Sequence, residues 1–224
     1  INQLHNGVIC INCTVTTSGG TLVPVTSGGT ATIDFALSPG GRISGTVTNA
    51  SGGAPLPNIL VQLFSATGAN LGSFNTIASG VYTTRGLPDG TYYLRTSNTQ
   101  GFVDKLFDNL SCPGAVCPPT TGTAVVVAGT GTVGGRNFVL AQGGRISGTI
   151  TNAATGAPLQ SGFSVQVYTE AGALAGQVSP DASGNYLTLA LPAGRYYIRS
   201  TNSAGFIDEL YDNLPCIGLC SVTA

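Results

Sequence analysis

Six cysteines are the residues of this chain whose type and spacing point most directly to chemistry. They form three close pairs, Cys10 with Cys13, Cys112 with Cys117, and Cys216 with Cys220. Because each pair recurs at the same point of a sequence repeat, we expect short loop disulfides in an oxidising compartment. A disulfide that closes so few residues contributes roughly 2 kcal/mol, so it pins a loop and does not hold the fold together.

Zinc and haem are the alternative partners of these cysteines. Zinc is disfavoured because the spacings C-x4-C and C-x3-C are unusual for it and the pairs lie a repeat apart. Covalent haem needs C-x-x-C-H, whereas Thr14 follows Cys13 and His5 is the only histidine. We therefore expect no cofactor and no metal.

Carboxylates recur near the second and third cysteine pairs and are candidates for a calcium site. They are Asp104 and Asp108 in one copy of the repeat, and Asp208, Glu209 and Asp212 in the next. Oxygen ligands from adjacent loops suffice for Ca²⁺, but Gln3 and Asn6 stand near these positions in the first copy. Capping and turn roles for 108–109 and 212–213 are therefore the favoured interpretation.

The chain offers poor material for catalysis. A nucleophile needs a base and a group that orients the base, and the counterparts of His5 in the repeat are Phe107 and Tyr211. The single lysine, Lys105, has Glu209 as its counterpart, so a Lys-to-Asn isopeptide crosslink is not a property of the repeat. We expect no catalytic residues and no enzyme activity.

The cysteines and carboxylates belong to a module that repeats about every 103 residues. The sequence GGRISGTVTN at 40–49 returns as GGRISGTITN at 143–152. LPDGTYYLR at 87–95 likewise returns as LPAGRYYIR at 191–199. The chain is therefore predicted to be an array of one structural unit.

The repeat divides the chain into three predicted parts. Residues 1–39 correspond to the C-terminal strands of a partial module and form a donor segment, residues 40–142 are a complete β-sandwich, and residues 143–224 are a β-sandwich lacking its last strands. Both end parts contain a cysteine loop, so together they exceed one period. There is no initiating Met, signal peptide or membrane-length apolar run, so we expect a mature exported protein or a piece of a longer one.

Composition narrows the classes of partner. Charged residues make up 8% of the chain and the formal net charge is −1, whereas globular proteins have about 25% charged residues. This balance gives no electrostatic case for nucleic acid or an acidic membrane surface. Disorder is disfavoured, because apolar and polar residues alternate along the chain.

This alternation predicts strands. In the run 42–48, Ile43, Gly45 and Val47 would face a core. Tyr92 and Leu94 would also point inward, with the Tyr92 hydroxyl reaching the backbone as in a tyrosine corner. About seven short strands in about 100 residues indicate an all-β fold of tandem antiparallel β-sandwiches.

Four aromatic residues are predicted to point outward from the sheets: Phe64, Tyr93, Tyr168 and Tyr197. They are candidates for a sugar-binding platform or for contacts between modules or subunits, with an ordinary surface role as the alternative.

The order of the motifs resembles a known family. G-x-I-S-G-x-V/I-T is followed by G-A-P-L, V-Q-L/V, S-G-x-Y/V and L-P-x-G-x-Y-Y-L/I, a series similar to that of the carboxypeptidase regulatory-like domain. The resemblance covers most of residues 40–110 and 143–213; the cysteine loop and the two strands after it are less typical of the family. The resemblance implies that the tandem sandwiches, incomplete at both ends of the chain, are of the transthyretin-like, immunoglobulin-like type. It also implies a noncatalytic module of a secreted or cell-surface protein and a role as spacer, scaffold or adhesive unit.

The function expected from these features is structural: a subunit of an extracellular, bacterial filament or surface fibre. A sandwich without its last strands exposes an unpaired sheet edge, which natural proteins avoid, and residues 21–37 contain those strands. We expect the N-terminal segment of one copy to complete the C-terminal module of the next, with Ile33, Phe35 and Leu37 at the subunit interface.

The sequence leaves three alternative functions open. In the first, the chain is a fragment of one long tandem-repeat surface protein; in the second, an adhesin module that binds a glycan or a surface protein; in the third, an accessory region of a secreted enzyme.

Overall fold

The computed structural model describes residues 1–217 and 220–223. Strands dominate this part of the chain, and its helical segments are two short 3-10 turns, Pro113–Ala115 and Pro119–Thr121. The predicted all-β fold of antiparallel sandwiches is confirmed. Neither helical turn approaches the length or the apolar character of a membrane-crossing helix, and the described residues contain no such helix.

The chain begins with a small hairpin of β1 (Gln3–Leu4) and β2 (Val8–Ile9). Asn6 and Gly7 of its turn both have φ near 76°, which suits the tight turns that join antiparallel strands. Residues 14–39, which we call the N-terminal tail, contain no strand.

The first sandwich is built from ten strands. They are β3 (Arg42–Asn49), β4 (Leu60–Ser65), β5 (Asn70–Asn75), β6 (Val81–Thr83), β7 (Gly90–Ser97), β8 (Lys105–Leu106), β9 (Leu110–Ser111), β10 (Val125–Val127), β11 (Thr132–Val133) and β12 (Phe138–Leu140). One sheet has the order β5-β4-β7-β8-β9, with β10 also on β7; the other has β11-β3-β12, with β6 also on β3. Two pairings are parallel, because both β11 and β12 run beside β3 in its own direction.

The core of the first sandwich lies between its two sheets and follows the predicted alternation. Ile43 and Val47 of β3 are buried, as are Tyr92 and Leu94 of β7. Gly45, the third residue predicted to face inward on β3, is buried too, whereas the alternate residues Ser44, Thr46 and Tyr93 are only partly covered. The core is completed by side chains of β10 and β12, which also belong to this cluster.

The strands of the second sandwich correspond to β3 through β9 of the first, and its described residues contain no counterparts of β10, β11 and β12. It consists of β13 (Ser147–Thr149), β14 (Phe163–Thr169), β15 (Leu174–Val178), β16 (Asn185–Leu187), β17 (Tyr196–Asn202), β18 (Asp208–Leu210) and β19 (Leu214–Cys216). One sheet has the order β15-β14-β17-β18-β19, and the other pairs β13 with β16. Its buried cluster is small, with Val167, Ala175 and Leu191 at the centre.

The structure agrees with two local predictions, the Asp-Asn turns and the tyrosine corner. Asp108 and Asn109, and likewise Asp212 and Asn213, have φ between 60° and 75°, a conformation that short polar side chains tolerate in hairpin turns. The Tyr92 hydroxyl donates a hydrogen bond to the Pro88 carbonyl at 2.9 Å. The tyrosine corner is thus formed, and the equivalent bond in the second sandwich is 2.7 Å long.

Candidate assembly site

Each cysteine pair closes a loop that follows a hairpin. Disulfides join Cys10 to Cys13, Cys112 to Cys117, and Cys216 to Cys220, with Cα–Cα distances of 5.2, 5.6 and 5.5 Å. These separations are normal for disulfides. No free cysteine occurs among residues 1–217 and 220–223. The three disulfide loops thus occupy the same position in each repeat unit.

Arg95 fixes the second loop to the sheet. Its Nη1 donates a hydrogen bond to the Cys117 carbonyl at 3.0 Å and its Nε donates to Gln62 at 3.0 Å. The guanidinium lies over the ring of Phe64, 5.0 Å from the centroid, in a cation–π arrangement. One planar group therefore connects the loop, the sheet and an aromatic ring.

Phe64 lies on the outer face of its sheet, as the alternation predicts, but it is only 5% exposed. Its expected role as an exposed aromatic residue is wrong, because Arg95 and its neighbours cover that outer face. Tyr168 is also engaged, because Arg199 lies over its ring at 5.4 Å and its hydroxyl donates to Gln166 at 2.7 Å. Tyr197 is the most open of the set, so the four do not form a continuous platform.

The carboxylates do not converge on a metal site. Within the described residues no group of three or more His, Cys, Asp or Glu side chains is placed to hold an ion. Asp104 is instead buried, and its Oδ1 accepts hydrogen bonds from Asn98 at 2.7 Å and from Thr96 at 3.2 Å. Burial raises the pKa of Asp104 to about 6, although these bonds and the charge of Arg95 oppose the rise. This structural role of Asp104 was not predicted from the sequence.

The first sandwich is closed by the segment that contains β10, β11 and β12. Phe138 and Leu140 are completely buried, and the Asn137 Oδ1 accepts the backbone N–H of Thr46 at 2.9 Å. The Val139 N–H, on the other side of the strand, donates to the Asn109 Oδ1 at 2.9 Å. Apolar side chains and side-chain-to-backbone bonds thus hold this segment in one register.

Gly45 gives the closing segment room. A β-carbon at this position would overlap the carbonyl group of Arg136 and would come within 3.0 Å of the Tyr82 ring. Glycine is therefore required by a close backbone approach. The equivalent residue of the second sandwich is Gly148, where a β-carbon would meet the Tyr186 hydroxyl at 2.7 Å.

The second sandwich has a groove beside the strands that correspond to β3 and β6. Its volume is about 650 Å³, and Gly148, Thr149, Tyr186 and Leu187 are among its lining residues. Leu187 is exposed, and Ile146, which corresponds to the buried Ile43, is only partly covered. The second sandwich thus has an unpaired sheet edge and exposed apolar side chains at the place that β11 and β12 occupy in the first sandwich.

The predicted interface residues lie in the N-terminal tail and are not placed in a core of the same chain. Phe35 and Leu37 are exposed, and Ile33 is half-buried. Leu22 and Val25 are exposed as well. Most of the large apolar side chains of the tail are therefore exposed on the surface.

Comparisons with known proteins give distant similarities. Two solved structures are the Bacillus anthracis TIE protein (14% identity, 78% of this chain and 31% of that one, TM-score 0.34) and a streptococcal ancillary pilin (15%, 80% and 59%, TM-score 0.36). The shaft pilin SpaA of Lactobacillus rhamnosus GG is 10% identical over 80% of this chain and 94% of that one, with a TM-score of 0.29. The chain spans less than two thirds of the first two structures. No curated protein matches it.

A family model matches within the first sandwich. The match to the carboxypeptidase regulatory-like domain extends over residues 42–106, from the start of β3 through β8. This is the part of the sandwich that carries the motifs G-x-I-S-G-x-V-T and L-P-x-G-x-Y-Y-L. The resemblance inferred from those motifs is thereby confirmed for residues 42–106.

Proposed function

We propose that this chain is a structural subunit of an extracellular filament or surface fibre, in which residues 21–37 of one copy complete the second sandwich of the next. One contrast carries the proposal. Phe138 and Leu140 are 0% exposed in the first sandwich, whereas their counterparts in the tail, Phe35 and Leu37, are 54% and 61% exposed. Apolar residues on a strandless segment, together with an open sheet edge, favour strand addition between molecules.

The first sandwich supplies the register for this addition. Asn137 there accepts the Thr46 N–H, and by the repeat Asp34 would stand in the place of Asn137. Its carboxylate would accept the N–H of Thr149, the counterpart of Thr46, which lines the groove. A charged acceptor strengthens such a hydrogen bond, so Asp34 would fix the donated strand in one position.

Alternate residues of the tail would have different environments after assembly. Val23 and Val25 correspond to Val125 and Val127, which are buried on β10. Leu22 corresponds to Ala124, which is exposed in the closed first sandwich. Leu22 is therefore predicted to stay on the surface, and it provides a matched control for the residues that enter the groove.

The test replaces apolar tail residues by aspartate. We expect the double variant Phe35→Asp with Leu37→Asp to raise the concentration needed for filament formation by about a hundredfold or more, since two large apolar side chains lose their burial. Leu22→Asp should assemble like the unsubstituted protein. Sedimentation over a concentration series and negative-stain imaging measure both.

Two outcomes would contradict the proposal. If the double variant forms filaments at the same concentration as Leu22→Asp, the tail is not the donated strand. If the purified chain stays monomeric at every accessible concentration, the groove is filled in another way, as in one long chain of tandem modules.

The disulfides support the proposed extracellular location. Three disulfides within 224 residues suit an oxidising, extracellular environment. An assembly held by strand addition needs neither cofactor nor catalysis, and its principal partner is another copy of the same chain.

A further inference from the structure

The two sandwiches meet through a joint built on Gly143. A β-carbon at Gly143 would lie 2.8 Å from the Val103 Cγ2 and 2.5 Å from the Leu191 carbonyl oxygen. The Gly143 N–H donates a hydrogen bond to the Gly101 carbonyl at 3.0 Å. Val103, which precedes β8, is buried in this contact.

The disulfide loop makes the other half of the joint. A β-carbon at Gly114, in the loop closed by Cys112 and Cys117, would lie 2.6 Å from the Ala175 carbonyl oxygen and 2.9 Å from the Gly176 Cα. The loop of the first sandwich therefore lies directly on β15, the edge strand of the second. We call Val103 and this loop the docking element of the first sandwich.

The N-terminal hairpin forms the same joint with the first sandwich. A β-carbon at Gly40 would lie 2.7 Å from the Ile1 Cγ1 and 2.7 Å from the Leu87 carbonyl oxygen. By the repeat, Ile1 takes the place of Val103, and Gly40 that of Gly143. Two separate parts of the chain thus reproduce one packing arrangement.

The disulfide loop of the hairpin completes this second example. The Asn12 Nδ2 donates a hydrogen bond to the Asn70 carbonyl on β5 at 3.0 Å, and β5 corresponds to β15. Ile11 of the same loop packs against the core cluster of the first sandwich. Residues 1–13 therefore dock on the first sandwich as residues 103–117 dock on the second.

A third docking element lies at the end of the second sandwich and is displayed to solvent. Ile207 corresponds to Val103 and Ile1, and Ile217 corresponds to Ile11. Ile207 is 65% exposed and Ile217 is 84% exposed, whereas Val103 is 5% exposed. The apolar side chain that is buried at the joint between the two sandwiches thus has an exposed counterpart here.

We propose that residues 205–217 of one copy dock on the first sandwich of a second copy, at the surface around Gly40 and β5, and displace residues 1–13 from it. The inference rests on the proposed function and adds to it a second contact between subunits. The N-terminal hairpin then acts as a cap, because it covers the docking surface until assembly.

The chain connectivity favours a second copy as the occupant. When the tail of that copy enters the groove, its chain continues directly into Gly40, as the chain of the first sandwich continues from β12 into Gly143. The first sandwich of the incoming copy would then follow the second sandwich at the joint seen within one chain. That joint has room for one docking element, so residues 1–13 and 205–217 compete for it.

Hydrogen exchange of the full chain, before and after assembly, tests the exchange of partners. Backbone amides around 207 and 217 should become protected, and those of residues 3–10 should lose protection. Protection of residues 21–37 without change at residues 1–13 and 205–217 would overturn this inference and leave the proposed strand addition intact. Absence of protection at residues 21–37 would instead overturn the proposed function.

Substitutions test the docking element separately. Ile207→Asp should slow assembly about tenfold or more, because one large apolar side chain loses its burial. Ile77→Asp, at another exposed isoleucine of the chain, is the matched control and should assemble at the unsubstituted rate. Equal rates for the two variants would contradict docking by residue 207.

Removal of the cap has the opposite expected effect. A chain that lacks residues 1–13 and keeps the tail should assemble faster than the intact chain, since the docking surface around Gly40 is already open. Slower assembly, or an unchanged rate, would show that residues 1–13 do not compete with the docking element.

Discussion

The Tyr82 hydroxyl donates a hydrogen bond of 2.5 Å to the Arg136 carbonyl. This bond ties β6 to the segment that closes the first sandwich, across Gly45 of β3. Burial raises the pKa of Tyr82 well above its ordinary value, so the hydroxyl keeps its proton at neutral pH and acts as the donor. The equivalent tyrosine of the second sandwich, Tyr186, lines the groove.

Removal of this hydroxyl should weaken the closure of the first sandwich. We expect Tyr82→Phe to lower the stability of β3 and β12 against local opening by roughly 1–3 kcal/mol, because the Arg136 carbonyl loses its donor. Native-state hydrogen exchange of these strands measures the change. Tyr93→Phe, on the partly covered outer face of β7, should alter it by less than about 0.5 kcal/mol; equal effects would contradict the assigned role.

An added methyl group at Gly148 should separate folding from assembly. Gly148→Ala places a β-carbon in the groove where the carbonyl of the incoming strand would lie. The same β-carbon would also contact the Tyr186 ring, but this side chain is only partly buried and can move aside, so we expect a folded monomer that does not form filaments. Circular dichroism and sedimentation measure the two properties. Filaments of Gly148→Ala at the unsubstituted concentration would contradict the predicted register.

The same substitution in the first sandwich has a different expected result. There Gly45→Ala would overlap the Arg136 carbonyl within one chain, and overpacking of this kind costs about 1–3 kcal/mol or more. We therefore expect Gly45→Ala to lower the free energy of unfolding, as measured by urea titration, while Gly148→Ala lowers it less.

The buried carboxylate of Asp104 should make stability depend on pH. Its folded pKa of about 6 exceeds the value of about 3.9 in an unfolded chain, so the folded state binds its proton more tightly. The contribution is fully present below about pH 4 and is lost as the pH rises through 6, by roughly 3 kcal/mol. In Asp104→Asn, urea titration from pH 4 to 7 should show stability rising by this amount relative to the unsubstituted protein. A constant difference across this range would contradict the assignment.

Arg95 should be poorly replaced by lysine. A lysine cannot donate to Gln62 and Cys117 in the same plane while it covers the Phe64 ring, so we expect Arg95→Lys to lower the free energy of unfolding by roughly 1–2 kcal/mol. Arg42→Lys, at an exposed position of β3, is the matched control and should change it by less than about 0.5 kcal/mol. Urea titration compares the two, and equal stabilities would show that the Arg95 contacts contribute nothing.

The strands, the turns and the repeat could be predicted from the amino-acid sequence, because these features depend on local patterns. Ile43 and Val47 are buried as their alternation predicts, and the Asp-Asn turns adopt the positive φ values that these residue types favour. The motifs between β3 and β8 also predicted the resemblance that the family model shows over residues 42–106. None of these features requires knowledge of distant contacts.

Which surfaces are covered could not be predicted, because coverage depends on contacts between distant parts of the chain. Phe64 lies under Arg95, Asp104 is enclosed by Asn98 and Thr96, and Ile1 packs on Gly40 as Val103 packs on Gly143. Alternation along a strand assigns a side chain to one face of a sheet, but whether that face is open depends on which distant segment lies on it. Sequence spacing does not contain that information, because burial is set by the packing of the whole chain.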